Sequence, residues 1–179
     1  MPKLKLAIIG VGLIGGSLGM CLKDKLGEDI YITGMCRTQV SMDKAVELGA
    51  VDFASSDPEQ VVKEADIIFL STPVLQMVPM VEKLLPFIKP GAVITDAGST
   101  KQYIWNELKK ILPDNIYYVP GHPMTGREMS GVAAAKKDLF QNKCYVIVEK
   151  DDVPAEIHNK VCELVKLTGA NLTTLDIAK

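Results

Sequence analysis

The sequence predicts one doubly wound α/β domain, in which helices cover both faces of a mostly parallel sheet. Short apolar runs alternate with segments of helical spacing along the whole chain. Residues 66–70 are apolar after the first position, as in a parallel strand that is buried on both faces. A glycine-rich turn joins the first apolar run to the first helical segment, and 179 residues suit a single domain over 1–179.

Each predicted element rests on apolar spacing and on the turn formers that bound it. The predicted strands cover residues 6–9, 31–36, 66–70, 92–95, 117–119, 143–148 and 171–175. The predicted helices follow the glycine turn, then cover residues 43–49, begin at Pro58, and cover 74–85, 101–112 and 154–167. Residues 120–131 are rich in turn formers, and we predict an irregular stretch there.

The turn after the first strand has the spacing G-x-G-x-x-G, formed by Gly10, Gly12 and Gly15. In a Rossmann dinucleotide-binding fold the first glycine makes the sharp turn, the second admits the pyrophosphate and the third lets helix and strand pack closely. The N–H groups of the first helical turn, which contains Leu13 and Ile14, then face the phosphates. A tight turn in another α/β protein is the alternative interpretation.

Arg37 lies about twenty residues after Gly15, where a fold that prefers NAD carries an acidic residue. The neighbouring side chains are Thr38, Gln39 and Ser41. An arginine and hydroxyl groups suit a 2′-phosphate, and we therefore predict that NADP is preferred over NAD. A solvated arginine at a strand end is the alternative.

Ser71, Thr72 and Pro73 come directly after the apolar run 66–70. Ligands of doubly wound folds bind at the carboxyl ends of the strands. We therefore predict that these three residues also contact the cofactor.

His122 and Ser99 are the predicted catalytic residues. Each follows a predicted strand end, and histidine is the side chain best suited to proton transfer near neutral pH. Ser99 is expected to orient His122 or a substrate, or to cap the next helix. An ordinary structural histidine is the alternative for His122. His158, between Glu156 and Lys160 on a predicted helix, is expected to be solvated.

Composition excludes several other classes of function. A net charge of −2 gives no electrostatic basis for binding nucleic acid or an anionic membrane. The sequence has no apolar run long enough to span a bilayer and no signal-peptide pattern, and we expect a cytoplasmic protein. The four cysteines show no C-x-x-C or Cys/His spacing, which favours reduced thiols and no metal site.

Three segments together resemble the prephenate and arogenate dehydrogenases of tyrosine biosynthesis. Residues 10–17 resemble the opening of that family, residues 96–101 its D-x-x-S-x-K segment, and residues 121–131 its G-H-P-[MI]-x-G-x-E-x-S-G segment. The glycine motif is common to many families, whereas the other two segments in this order are specific. The resemblance covers essentially the whole chain.

The resemblance implies an NAD(P)-dependent oxidative decarboxylation of prephenate to 4-hydroxyphenylpyruvate, or of arogenate to tyrosine. It implies that His122 accepts the carbinol proton, that Ser99 bonds the histidine and the substrate, and that Thr125 and Gly126 belong to the substrate segment. A non-catalytic NAD(P)-binding module and another hydroxy-acid dehydrogenase are the alternatives. Ser99 and His122 at two strand ends favour the enzyme, while prephenate and arogenate remain equally open.

The resemblance also implies a helical domain beyond this segment. In the family that domain forms the homodimer, closes the active site and supplies contacts to the substrate carboxylate. We expect the nucleotide domain to fold by itself and to be nearly inactive on prephenate alone.

Overall fold

A six-stranded parallel sheet forms the centre of the molecule in this computed structural model, which describes residues 4–98, 101–124 and 134–176. Its strand order is β3-β2-β1-β4-β5-β6. The strands are β1 (Leu4–Ile9), β2 (Ile30–Met35), β3 (Phe53–Ser55), β4 (Ile67–Leu70), β5 (Val93–Asp96) and β6 (Tyr117–Val119). This is the strand order of a Rossmann fold, so the predicted fold class is confirmed.

Helices cover both faces of this sheet. They are α1 (Leu13–Leu26), α2 (Gln39–Glu47), α3 (Pro58–Val62), α4 (Val74–Leu84), α5 (Lys101–Ile111) and α6 (Ala155–Leu167). Alternate residues of β1 point to opposite faces. Leu6 and Ile8 pack in the core with α1, α2 and α6, whereas Ala7 and Ile9 pack with α3, α4 and α5. Burial on both faces explains why the strands are continuous apolar runs.

The last three strands form a separate sheet, which the alternating sequence pattern did not predict. They are β7 (Gly121–Pro123), β8 (Cys144–Glu149) and β9 (Asn171–Asp176), with β7 antiparallel and β9 parallel to β8. The boundary between the two sheets lies beside β6, the edge strand of the larger sheet. There the Val148 N–H donates to the Pro120 carbonyl at 2.8 Å, and the Lys150 ammonium donates to the Tyr118 carbonyl at 3.0 Å.

One local prediction was wrong and one element was missed. We predicted that the second helix begins near residue 43, but it begins at Gln39 because the Thr38 hydroxyl accepts the Ser41 N–H at 3.1 Å as an N-cap. A three-residue edge strand at 53–55, for which we made no prediction, pairs with β2. Within the described ranges, no helix has the length and apolar character needed to cross a membrane.

Candidate nucleotide and catalytic site

A cavity of about 940 Å³ opens at the carboxyl edge of the parallel sheet, and we call it the edge cavity. Its walls come from the turn after β1, the ends of β2 and β4, the start of α2 and one face of α4. Open α/β sheets bind ligands where the strand order reverses. In this sheet that point lies between β1 and β4, beside the edge cavity.

The glycine turn brings α1 unusually close to β1. Gly10 has a φ of +91°, which lets the chain leave β1 sharply. A Cβ on Gly15 would lie only 2.6 Å from the Gly10 carbonyl oxygen and 2.7 Å from the Ile8 side chain. Only glycine fits at this position without a shift of the backbone.

Gly12 has the opposite environment and lines the edge cavity. Among the residues that the structure describes, nothing lies within 4 Å of a Cβ built on Gly12. The first hydrogen bond of α1 runs from the Gly16 N–H to the Gly12 carbonyl at 2.8 Å. The N–H groups of Leu13, Ile14 and Gly15 precede it and have no acceptor within the helix. The open space at Gly12, which we call the cradle, lies beside N–H groups that have no helical acceptor, and such a place suits a phosphate.

The turn after β4 supports the glycine turn. The Ser71 hydroxyl lies 2.6 Å from the Gly10 carbonyl and 3.2 Å from the Ile9 carbonyl, so it can bond the backbone of the glycine turn. Thr72 lines the edge cavity, and its Oγ1 is buried with no hydrogen-bond partner in the described part of the chain. Pro73 lies beside it and precedes α4. A buried hydroxyl without a partner fits a ligand that completes its hydrogen bonding.

Positive charge lies on the far side of the edge cavity. The exposed Arg37 side chain donates from Nη2 to Oε1 of Gln76 at 2.8 Å. Thr38 and Ser41 line the cavity beside it, at the N-terminus of α2. Of the described residues that line the cavity, the charged ones are Arg37 and Lys83, and none is acidic. This end of the cavity therefore favours an anion.

His122 is the middle residue of β7 and pairs with Val146 of β8. It is half-buried, and its Nδ1 is shielded from solvent without a hydrogen-bond partner among the described residues. The prediction of an irregular stretch is wrong for this segment. Glycine and proline are typical of turns, but β7 is an edge strand, where the missing N–H of Pro123 is tolerated.

A buried carboxylate connects the ends of β5 and β6. The Gly121 N–H, just before His122, donates to Oδ1 of Asp96 at 3.2 Å. Asp96 is the first residue of the D-x-x-S-x-K segment, from which we predicted no role for it. The predicted pairing of Ser99 with His122 and the predicted substrate contacts of Thr125 and Gly126 stay predictions, because Ser99, Thr125 and Gly126 lie outside the described ranges.

The remaining candidate groups differ in burial. Cys21, Cys36 and Cys162 are buried, and burial raises the pKa of each thiol, whereas Cys144 is exposed. The prediction for His158 was wrong, since its Nε2 is buried, and its Nδ1 lies 3.7 Å from Cys162 Sγ. No group of three or more potential metal ligands occurs among residues 4–98, 101–124 and 134–176.

Residues 18–174 match the family model of the nucleotide-binding domain of prephenate dehydrogenase. The chain belongs to the prephenate dehydrogenase family. The prephenate dehydrogenase of Bacillus subtilis is 34% identical over 169 residues, which are 94% of this chain and 45% of that protein. The chain thus spans about half the length of the curated relatives it matches.

Solved structures of family members agree with this assignment. Synechocystis arogenate dehydrogenase matches with a TM-score of 0.89 and 31% identity, over 98% of this chain and 60% of that one. Prephenate dehydrogenase from A. aeolicus, in complex with hydroxyphenyl propionate and NAD+, matches with a TM-score of 0.88 and 27% identity, over 98% of this chain and 61% of that one. These matches confirm the family resemblance seen in the sequence motifs.

Proposed function

We propose that this chain binds NADP in the edge cavity and supplies the catalytic base of a dehydrogenase that acts on prephenate or arogenate. The observation that carries the proposal is the buried Nδ1 of His122, which has no hydrogen-bond partner among the described residues. His122 lies in β7, whose Gly121 N–H donates to Asp96 at the carboxyl end of β5. A general base needs a free nitrogen within reach of the proton it removes. The family match supports the reaction class.

The proposed reaction removes a hydride, a proton and carbon dioxide from one substrate ring. A bound nicotinamide supplies the hydride acceptor for the carbinol carbon. Neutral His122 takes the proton of the carbinol hydroxyl, while Ser99 holds the imidazole and the substrate oxygen. The bond to the ring carboxylate breaks, its electron pair moves through the ring to the former carbinol oxygen, and that oxygen takes up a proton as the aromatic phenol forms. Thr125 and Gly126 are proposed to contact the substrate from the segment after His122.

The preference for NADP over NAD rests on the charge around the edge cavity. Arg37 and the N-terminus of α2, with Thr38 and Ser41, would hold a 2′-phosphate. The cavity has no acidic side chain, among the residues described, to accept a bond from a free ribose 2′-hydroxyl. Gly10, Gly12, Leu13, Ile14 and Gly15 would hold the pyrophosphate, and Ser71, Thr72 and Pro73 would border the cofactor at the end of β4.

Other properties of the whole protein stay predictions. The A. aeolicus relative is described in complex with a hydroxyphenyl compound, which supports a ring-bearing substrate for this chain as well. Homodimerisation through a helical domain and a cytoplasmic location are predicted from the family resemblance and from the sequence.

Binding and turnover test the proposal separately. Calorimetric titration of this chain with NADP and with NAD tests the cofactor. For turnover, a hybrid protein in which this chain replaces the matched part of the Bacillus subtilis relative is assayed with prephenate and with arogenate. We expect NADP-dependent turnover of one of them that is lost in His122→Asn. Binding without turnover in the hybrid would favour a non-catalytic nucleotide module, and no binding would contradict the proposal.

A further inference from the structure

Asp96 ends β5 and is fully buried. Its Oδ2 accepts the Gly98 N–H at 3.0 Å. Its Oδ1 accepts the Gly121 N–H at 3.2 Å and the Tyr118 hydroxyl at 3.0 Å. Gly98 lies in the turn after β5, whereas Tyr118 and Gly121 lie in and after β6, so this carboxylate joins two strand ends.

The two glycines directly precede the two proposed catalytic residues in the sequence. Gly98 comes before Ser99, and Gly121 comes before His122. Each oxygen of the carboxylate therefore holds the backbone next to one of them. Hydrogen bonds to an ionised acceptor are shorter and stronger than neutral ones, and they strengthen further in a dry interior.

The donors around Asp96 suit a carboxyl group with two acceptor oxygens better than an amide with one. Both backbone groups and the Tyr118 hydroxyl donate, so both oxygens of Asp96 must accept. An asparagine has one acceptor oxygen and would turn its NH₂ group towards a donor. Burial first, and then the charge of Asp96, raises the pKa of Tyr118 and of Tyr145. The hydroxyl of Tyr118 thus stays protonated and keeps its role as a donor.

Close packing leaves little freedom around this carboxylate. A Cβ on Gly98 would lie 3.0 Å from Asp96 Oδ2. A Cβ on Gly121 would lie 3.1 Å from the Asp96 carbonyl oxygen and 3.2 Å from Thr95 Oγ1. Both glycines therefore approach Asp96 more closely than residues with side chains ordinarily do.

We propose that Asp96 is a positioning residue for His122: its carboxylate fixes β7 against the end of β5 and so sets where the imidazole lies. The catalytic meaning of this position rests on the proposed function, whereas the position itself does not. Asp96 touches neither substrate nor cofactor in this proposal and acts through the backbone of Gly121.

Histidine NMR tests the proposal in this chain, because His122 and His158 are its two histidines. In a chain with ¹³C-labelled histidine, His122→Gln and His158→Gln assign the ring signals. We expect Asp96→Asn to shift or broaden the His122 ring signals and to leave those of His158 in place. Tyr118→Phe removes one donor but keeps both glycine bonds, and it should leave His122 close to its wild-type signals.

Asp66→Asn is the matched control. Asp66 precedes β4 at the opposite edge of the sheet and likewise accepts a backbone N–H, from Lys5 at 2.9 Å, together with the Lys89 ammonium at 2.6 Å. Its loss should lower the melting temperature without moving the His122 signals. The proposal fails if Asp96→Asn leaves His122 unchanged, or if Asp66→Asn moves it as much.

Hydrogen exchange in the wild-type chain tests the same bonds without a variant, in case Asp96→Asn does not fold. The Gly98 and Gly121 amides should exchange at least about tenfold more slowly than unprotected amides. Exchange of either amide at the unprotected rate would overturn the proposal. Titration of the wild type with NADP tests the proposed function alone. Absence of binding would contradict that function, but it would not affect the conclusion about Asp96 drawn from the His122 signals.

Discussion

Arg37 and Gln76 lie on the edge cavity and are joined by a hydrogen bond of 2.8 Å between Nη2 and Oε1. Arg37 follows β2 and Gln76 belongs to α4, so the bond holds the guanidinium against the cavity. We expect Arg37→Ala to weaken NADP binding by about tenfold or more, since a hydrogen bond to a charged group contributes about 1.5–3 kcal/mol. NAD binding should change little. Calorimetric titration of both variants with both nucleotides measures the difference.

Lys44→Ala is the matched control for Arg37. It also removes a positive charge, from the last turn of α2, but Lys44 does not line the edge cavity. It should change the affinity for NADP less than Arg37→Ala does. Tighter binding of NAD than of NADP by the wild type would mean that the role of Arg37 was misinterpreted.

The sheet and the glycine turn could be predicted from the sequence because their physical constraints are local. Strands buried on both faces give apolar runs, and the close approach at Gly15 leaves no room for a side chain unless the backbone shifts. The start of α2 was harder to predict, because its N-cap at Thr38 follows β2 with almost no spacer. The strand at 121–123 depends on pairing with β8, more than twenty residues later, and no local pattern reveals it.

Gly12 and Gly15 belong to one motif but should respond differently to substitution. Gly12→Val should abolish nucleotide binding and leave the melting temperature nearly unchanged, because its side chain enters the open cradle. Gly15→Val should destabilise the fold by about 1–3 kcal/mol or more, because its Cβ meets the Gly10 carbonyl and Ile8. Thermal unfolding and calorimetry separate the two effects. Normal nucleotide binding by Gly12→Val would show that the open space at Gly12 is not part of the nucleotide site.

His122→Asn should lower turnover in the hybrid protein by about 10²–10⁴-fold, the usual contribution of a general base. Nucleotide affinity should stay close to that of the wild type, because His122 is not among the residues that line the edge cavity. Ser99→Ala should cost less, as it removes an orienting bond. Steady-state rates at saturating nucleotide measure this, and near wild-type turnover by His122→Asn would exclude it as the base.

His122 and Ser99 could be proposed from the sequence, but the carboxylate bonded to the backbone of Gly98 and Gly121 could not. Asp96 stood inside a recognised motif, yet nothing in the motif shows that both of its oxygens accept backbone N–H groups. Ser71 was predicted to contact the cofactor, and in the structure its hydroxyl lies within hydrogen-bond distance of the glycine-turn backbone. Such roles depend on which strand ends become neighbours, and that follows from the strand order of the whole sheet.

Lys150 is a buried lysine at the open edge of β6. Its ammonium donates to the Tyr118 carbonyl at 3.0 Å and lies 3.1 Å from the ring centroid of Trp105. Burial lowers its pKa from 10.5 to about 8, although Asp152 at 3.9 Å opposes this effect. The Tyr118 carbonyl and the face of the Trp105 ring thus stabilise the ammonium away from bulk water.

This depressed pKa should make stability depend on pH in one direction. Between pH 8 and 10.5 the unfolded chain keeps the Lys150 proton that the folded chain releases. The free energy of unfolding therefore rises with pH across this window, and the gain is lost as pH falls through the folded pKa. Lys150→Met has no such proton, so the difference in unfolding free energy, wild type minus variant, should rise over the same window.

Urea denaturation of the wild type and of Lys150→Met, from below pH 8 to above pH 10.5, measures this difference at each pH. Taking the difference cancels the titration of other groups, which both proteins share. Asp152→Asn is the companion variant: because the Asp152 carboxylate raises the pKa of Lys150, its removal should move the start of the rise to lower pH. If the difference in unfolding free energy stays constant with pH, the pKa of Lys150 is not lowered by folding. The Trp105 face and the Tyr118 carbonyl would then compensate fully for the burial of the ammonium.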